Sequence, residues 1–173
     1  RYQATVLAAN RSVDDMEILC RQHMPPYAIM GQPDAAEALR ERLSDNARIT
    51  VLSGSEPLDD LVADPAIHSV VAGIVGFAGL RSALSAARAG KHILLANKEA
   101  LVSAGNLFME TVRSGGATLL PVDSEHNAMH QCLPILSDGR PDMTHVEKIV
   151  LTASGGPFRG RSREVLDDVT PAE

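Results

Sequence analysis

The sequence predicts an α/β fold, a Rossmann-like doubly wound and mostly parallel sheet. Three observations predict it. Short apolar runs alternate along the whole chain with longer stretches of helical spacing. Two of those runs, HSVVAGIV (68–75) and HILLA (92–96), lack polar alternation, as strands buried on both faces of a parallel sheet do. Gly90 and the pair Gly115-Gly116 stand where helices must stop.

In order, the first strand is predicted over 4–9. A helix follows from Ser12 to His23, with Val13, Met16, Leu19 and Cys20 near helical spacing and Ser12–Asp15 as a capping pair. Pro25-Pro26 break it. Residues 27–30 form a short strand. Pro33 opens a helix to about Ser44, with Ala35, Ala36, Leu39 and Leu43 on one face. A strand over 49–52 and a short helix over 56–63 come next. The run 68–75 is a buried strand, and 78–89 a helix carrying Leu80, Leu84 and Ala87 on one side. After the strand 92–96, residues 99–114 are helical, with Leu101, Phe108 and Val112 in a stripe. The strand 118–122 contains Pro121, which places it at an edge or a bend. A helix over 124–135, a polar turn over 137–144, a strand over 146–152 and the loop SGGPFRG complete the chain. Gly73, Gly76 and Gly79 spell GxxGxxG rather than GxGxxG, and are read as close strand–helix packing. Pro121 and the polar turn put a domain boundary near residue 122.

Composition narrows the function. Of 173 residues, 45% are hydrophobic and 3% aromatic, so the core is aliphatic. With 16 basic against 22 acidic residues, the net charge of −6 disfavours a nucleic-acid surface. No apolar run is long enough to span a bilayer. Cys20 and Cys132 lie far apart, which points to a reducing compartment rather than a disulfide framework. The chain opens in an apolar run without an initiator Met and ends at VTPAE, which reads as a partial sequence.

Ligands of open α/β sheets collect beyond the carboxyl ends of the strands. Four predicted strand ends carry polar groups: Asn10-Arg11-Ser12, Asn97-Lys98-Glu99, Asp123-Ser124-Glu125-His126 and Ser154-Gly155-Gly156. Arg11 has the chemistry to pair with a cofactor phosphate at a helix N-terminus, or is a solvated side chain beside an N-cap serine. Lys98, one of three lysines, can neutralise a substrate oxygen, or it merely begins a helix. Asp123 and Glu125 supply hard oxygen ligands suited to Mg²⁺ or Mn²⁺, or they are an N-cap and its neighbour. Two ligands leave other coordination positions to be filled from elsewhere. His126 and His130 share a helix face at zinc-pair spacing, but no HExxH is present. Ser154-Gly155-Gly156 is either a phosphate-wrapping loop or an ordinary turn. Walker A and GxSxG motifs are absent.

The strings ILLANKEALVSAG, LLPVDSEHNA and LTASGGPFR, in this order, with ANRS upstream and AGIVGFAGL before the first, resemble the 1-deoxy-D-xylulose-5-phosphate reductoisomerase family. The resemblance runs along essentially the whole chain but covers less than half of a typical member. It implies an NADPH-binding domain over 1–122, lacking its first strand and glycine-rich loop. It also implies the start of an α+β catalytic, metal-binding domain over 123–173. The implied activity is conversion of 1-deoxy-D-xylulose 5-phosphate into 2-C-methyl-D-erythritol 4-phosphate in non-mevalonate isoprenoid biosynthesis, with NADPH and Mg²⁺ or Mn²⁺.

By the same resemblance Asp123 and Glu125 match two of three metal ligands, and Lys98, Ser124, Glu125 and Ser154 match substrate contacts. Asn97 and Glu99 match cofactor contacts, and Asn10, Arg11 and Ser12 match the segment holding the adenosine end and its 2′-phosphate. Lys98, Asp123 and Glu125 are the implied catalytic group, with His126 either orienting a ligand or packing. The segment alone is expected to be inactive. The full-length protein is expected to be a homodimer in a bacterial cytoplasm or a plastid interior, with no nucleic-acid or membrane partner. Three other readings use the same residues. One is another NADP-linked sugar or semialdehyde dehydrogenase, one is a metal hydrolase on Asp123, Glu125, His126 and His130, and one is a non-catalytic cofactor-binding segment.

Overall fold

The structure, a computed structural model, describes residues 2–136, 141–151 and 156–170. The chain divides into two compact units, 1–123 and 124–173.

The first unit alternates strand and helix: β1 (Val6–Ala9), α1 (Val13–His23), β2 (Tyr27–Met30), α2 (Pro33–Arg42), β3 (Thr50–Ser53), α3 (Glu56–Ala63), β4 (Ser69–Ala72), α4 (Leu80–Arg88), β5 (His92–Leu95), α5 (Glu99–Gly115) and β6 (Thr118–Pro121). Every strand pairing is parallel. The α/β class therefore holds, but the strands fall into two three-stranded sheets, ordered β1-β2-β3 and β4-β5-β6. The division arises because β1 and β4 do not hydrogen-bond to each other, so each is an edge.

Each sheet has its own core, and in each the central strand is the most buried. Beneath β2 lie Met16 and Cys20 of α1, Ala35, Ala36 and Leu39 of α2, and Ile49 and Val51 beside β3. Around β5, Ile93 and Leu95 meet Leu80, Ala83, Leu84 and Ala87 of α4 and Ala100, Phe108 and Val112 of α5. The core is aliphatic as composition requires, with Phe108 as its largest fully buried side chain.

The helix ends follow the residues placed there. Asp14 and Asp15 lie in the first turn of α1 and Arg21 and His23 in its last, complementing the helix dipole. Pro33 and Pro57 open α2 and α3, where a missing N–H costs nothing. Gly116, at φ +68°, terminates α5 in the left-handed region. Gly115 permits contact with α4, since a Cβ there would sit 2.1 Å from the Ala87 carbonyl oxygen.

Several expectations are corrected. Ser12 precedes α1 but makes no side-chain capping bond, and Met24, in the left-handed conformation, ends that helix before Pro25. The run 68–75 is a strand only over 69–72 and is not buried on both faces: Val71 is 70% exposed, because an edge strand has no neighbour on one side. Residues 76–79 form a 3₁₀ turn, so α4 starts at Leu80. Of the three spaced glycines only Gly79 is closely approached, and by a loop and a side chain rather than by a strand. β6 is an edge strand, as Pro121 demands.

In the second unit α6 (Ser124–Cys132) is shorter than expected, and α7 (Arg163–Leu166) is a single turn. Residues 146–151 form no strand. No ladder partner joins them among the described residues, and Ile149, Val150 and Leu151 are exposed.

Candidate functional site

In a parallel sheet, every strand delivers the residue after it to one edge. At the end of β5 the backbone N–H groups of Ala96 and Asn97 both donate to the Ala72 carbonyl at the end of β4, at 3.1 and 3.0 Å. At the end of β6 the Val122 N–H donates to the Leu95 carbonyl at 2.9 Å. These bonds carry the sheet register one step past the strands and hold three strand ends together. Lys98 and Asp123 are the next residues out on β5 and β6. They meet: Lys98 Nζ lies 3.1 Å from Asp123 Oδ2.

The pair is asymmetric in exposure. The Lys98 side chain is 58% exposed, whereas that of Asp123 is 16% exposed. A largely covered carboxylate thus faces a cation that reaches it from solvent. Glu99 is exposed in the first turn of α5, where the helix dipole favours a negative charge.

Asn97 differs from its neighbours because it is buried, at 2% exposure. Its Nδ2 donates to the carbonyls of Ile74, at 2.7 Å, and Gly76, at 2.9 Å. Its Oδ1 accepts the Ala100 N–H at 3.2 Å, capping the start of α5. Sequence reasoning placed Asn97 at the site but missed this role. For the cap alone a signal was available, an Asn three residues before Ala100 at the start of a helix.

Asn10, Arg11 and Ser12 stand in the other sheet, exposed at the carboxyl end of β1. The Gly31 N–H donates to the Ala9 carbonyl at 2.8 Å, which draws the end of β2 alongside. A Cβ on Gly31 would come within 2.5 Å of Asn10 Oδ1, so the Asn10 side chain lies over bare backbone. Arg11 and Ser12 then lead directly into α1, whose N-terminal N–H groups favour an anion.

The structure therefore joins Asn97, Lys98 and Asp123 at one sheet edge and places Asn10–Ser12 at the edge of the other sheet. Ser124, Glu125, His126 and His130 belong to α6 of the second unit. Ser154 lies outside the described residues. Among the described residues no group of three or more His, Cys, Asp or Glu side chains is arranged to hold a metal ion. Among them also, no helix is long and apolar enough to cross a membrane.

Comparison with known proteins identifies the relatives of this arrangement. The model of the family described as 1-deoxy-D-xylulose 5-phosphate reductoisomerase matches residues 1–105. The model of that family's C-terminal domain matches residues 119–173. The 1-deoxy-D-xylulose 5-phosphate reductoisomerase of Ralstonia nicotianae is 53% identical over 99% of this chain and 43% of its own length. The Nitrosococcus oceani enzyme is also 53% identical, over 100% of this chain and 44% of its own. Among solved structures, the Zymomonas mobilis enzyme in complex with NADPH superposes with a TM-score of 0.81 at 40% identity, over 100% of this chain and 44% of that one. A DOX-P reductoisomerase in complex with NADPH, fosmidomycin and magnesium gives 0.84 at 41% identity, over 98% and 43%. The chain thus spans less than half the length of these relatives.

Proposed function

The chain belongs to the 1-deoxy-D-xylulose 5-phosphate reductoisomerase family, and from that premise we propose that the whole protein rearranges and reduces 1-deoxy-D-xylulose 5-phosphate to 2-C-methyl-D-erythritol 4-phosphate, with NADPH and a divalent metal. The observation that carries this reading is the Lys98–Asp123 pair, 3.1 Å apart at adjoining strand ends.

The donor chemistry fits a hard cation. Asp123 and Glu125, with Ser124 between them in the chain, offer carboxylates of the kind Mg²⁺ or Mn²⁺ prefers, and Asp123 already stands against a positive charge. When bound, the metal would supply Lewis-acid charge at the substrate oxygens and NADPH the hydride. The chain's own residues would do the rest. Lys98 places a positive charge where oxygen anions develop. Ser124, Glu125 and Ser154 would contact the substrate.

NADPH fits the exposed cluster at β1. Arg11 offers a planar cation for the 2′-phosphate, Asn10 and Ser12 flank it, and the start of α1 adds its dipole. Asn97 and Glu99 would serve the nicotinamide side, beside Lys98, Asn97 by holding the site in place since both its side-chain N–H groups are engaged. The two sheets are read as halves of one doubly wound sheet, which a further parallel strand between β1 and β4 would complete. On this reading residues 1–122 are the NADPH-binding part and 123–173 begin the catalytic part. The relatives compared are bacterial; a cytoplasmic location and a homodimeric state are part of this proposal for the complete protein. The dehydrogenase and hydrolase readings leave the matches to the two family models without an explanation.

The test is NADPH oxidation by the complete gene product with 1-deoxy-D-xylulose 5-phosphate and Mn²⁺, with and without chelator. Turnover that chelator abolishes is expected. A folded, full-length protein without turnover, or with turnover indifferent to chelator, would overturn the proposal.

A further inference from the structure

We infer that Asn97 is a positioning residue: its carboxamide fastens the loop after β4 to the start of α5 and so fixes where cofactor and Lys98 can meet. The inference rests on the NADPH reading for its ligand and on geometry for the fastening.

Asn97 has no hydrogen left to offer a ligand. A carboxamide has two N–H donors, and both go to backbone carbonyls, those of Ile74 and Gly76. Its oxygen accepts from Ala100, and its backbone N–H donates to Ala72. One buried residue therefore ties together the end of β4, the loop 74–76 and the first turn of α5.

Gly79 completes the device. A Cβ at residue 79 would stand 2.2 Å from the Ile74 oxygen and 2.7 Å from Asn97 Nδ2. Any side chain there pushes apart the two groups that the Asn97–Ile74 bond joins. Gly79 is needed to let that bond form, which explains a glycine just before a helix.

The fastened loop has a surface to present. Val75 is 78% and Phe77 76% exposed, at the carboxyl end of a parallel strand. Apolar side chains held outward by a buried polar clamp suit a flat, partly apolar ring, and Lys98 follows Asn97 directly in the chain. Cutting the clamp would leave the loop's carbonyls unpaired and its position undefined.

The experiment uses the complete protein and the variants Asn97→Asp, Asn97→Ala and Gly79→Ala. NADPH affinity is measured by fluorescence titration. Amide exchange over 74–79 is measured without cofactor. Expected are a loss of NADPH affinity of about tenfold or more in Asn97→Asp and in Gly79→Ala alike, a rise in KM for NADPH larger than the fall in kcat, and faster exchange over 74–79. If Gly79→Ala does not fold, Gly76→Ala strains the same loop through its φ of +67° while leaving open space around the new methyl group. Weak binding in the Asn97 variants with normal binding in the glycine variant would mean direct contact and overturn the inference. So would a lowered thermal midpoint with unchanged NADPH affinity, which marks a purely structural bond. If the wild-type protein does not bind NADPH, the cofactor reading fails instead. The exchange measurement then decides alone, and unchanged exchange over 74–79 in Asn97→Ala overturns the fastening.

Discussion

Lys98 Nζ and Asp123 Oδ2 are 3.1 Å apart, joining the residue before α5 to the residue beyond β6. The ammonium occupies one side of the carboxylate that the proposed metal would use, so the two cations compete for one anion. The pair is partly exposed and its intrinsic strength is modest. Its meaning lies in that competition.

Replacing Lys98 by Ala should therefore move two quantities in opposite directions. Turnover falls by about 10²–10³-fold, as for loss of one group aimed at a developing oxyanion. Mn²⁺ binding, followed by electron paramagnetic resonance in the absence of substrate, becomes tighter. Unchanged or weaker metal binding would show that Lys98 does not oppose the metal at Asp123.

Asp123→Asn and Glu125→Gln should each raise the Mn²⁺ concentration needed for half-maximal activity, by about 10–100-fold or more. Activity lost to chelator should return on adding Mn²⁺ to the wild-type enzyme but only partially in these variants. Activation curves that overlay the wild type would remove the residue concerned from the ligand set.

Arg11→Gln should weaken NADPH binding by about ten- to a hundredfold, the worth of a charge-assisted hydrogen bond, and leave NADH nearly untouched. The ratio of kcat/KM for the two cofactors measures this directly. An equal loss for both cofactors would place Arg11 away from the 2′-phosphate.

The legible parts of the sequence were those governed by local rules. Residues 27–30 and 56–63 were predicted to the residue because Pro25-Pro26 and Pro57 fix their boundaries. The ends of α5 were marked by Lys98-Glu99 and Gly115-Gly116. What failed depended on partners distant in sequence. Periodicity cannot say whether an apolar run such as HSVVAGIV lies at the middle of a sheet or at its edge, and β4 lies at an edge. VEKIVLT has strand composition, yet residues 146–151 have no neighbouring strand among the described residues. Lys98 and Asp123 were readable as candidates because each follows a strand, but their meeting depends on the β5–β6 register. Asn97 and Gly79 gave no sign that they act on one loop, since neither motif nor period links positions that only tertiary contact unites.

Asp59 supplies a prediction on stability that is independent of the site. It sits on α3 facing α4, almost wholly buried. Arg81 Nε approaches Asp59 Oδ2 to 2.5 Å, yet that oxygen makes no hydrogen bond. Burial pushes the Asp59 carboxyl above its ordinary value. The Arg81 charge opposes this, and the charges of Asp60 and Glu56 reinforce it. A carboxyl whose folded pKa is raised binds its proton more tightly in the native state. Its contribution to stability is therefore full below the ordinary carboxylate range and is lost as pH rises through the raised value. Asp59→Asn removes that loss. Thermal midpoints of the complete protein, measured from acid to neutral pH, should show the variant gaining on the wild type as pH rises. Arg81→Gln, which removes the cation in contact with the carboxylate, should let the carboxyl rise further and so enlarge the decline relative to the wild type. A constant difference between Asp59→Asn and wild type across that range would mean that the carboxyl titrates as it does in the unfolded chain, and that burial between α3 and α4 does not hold it protonated.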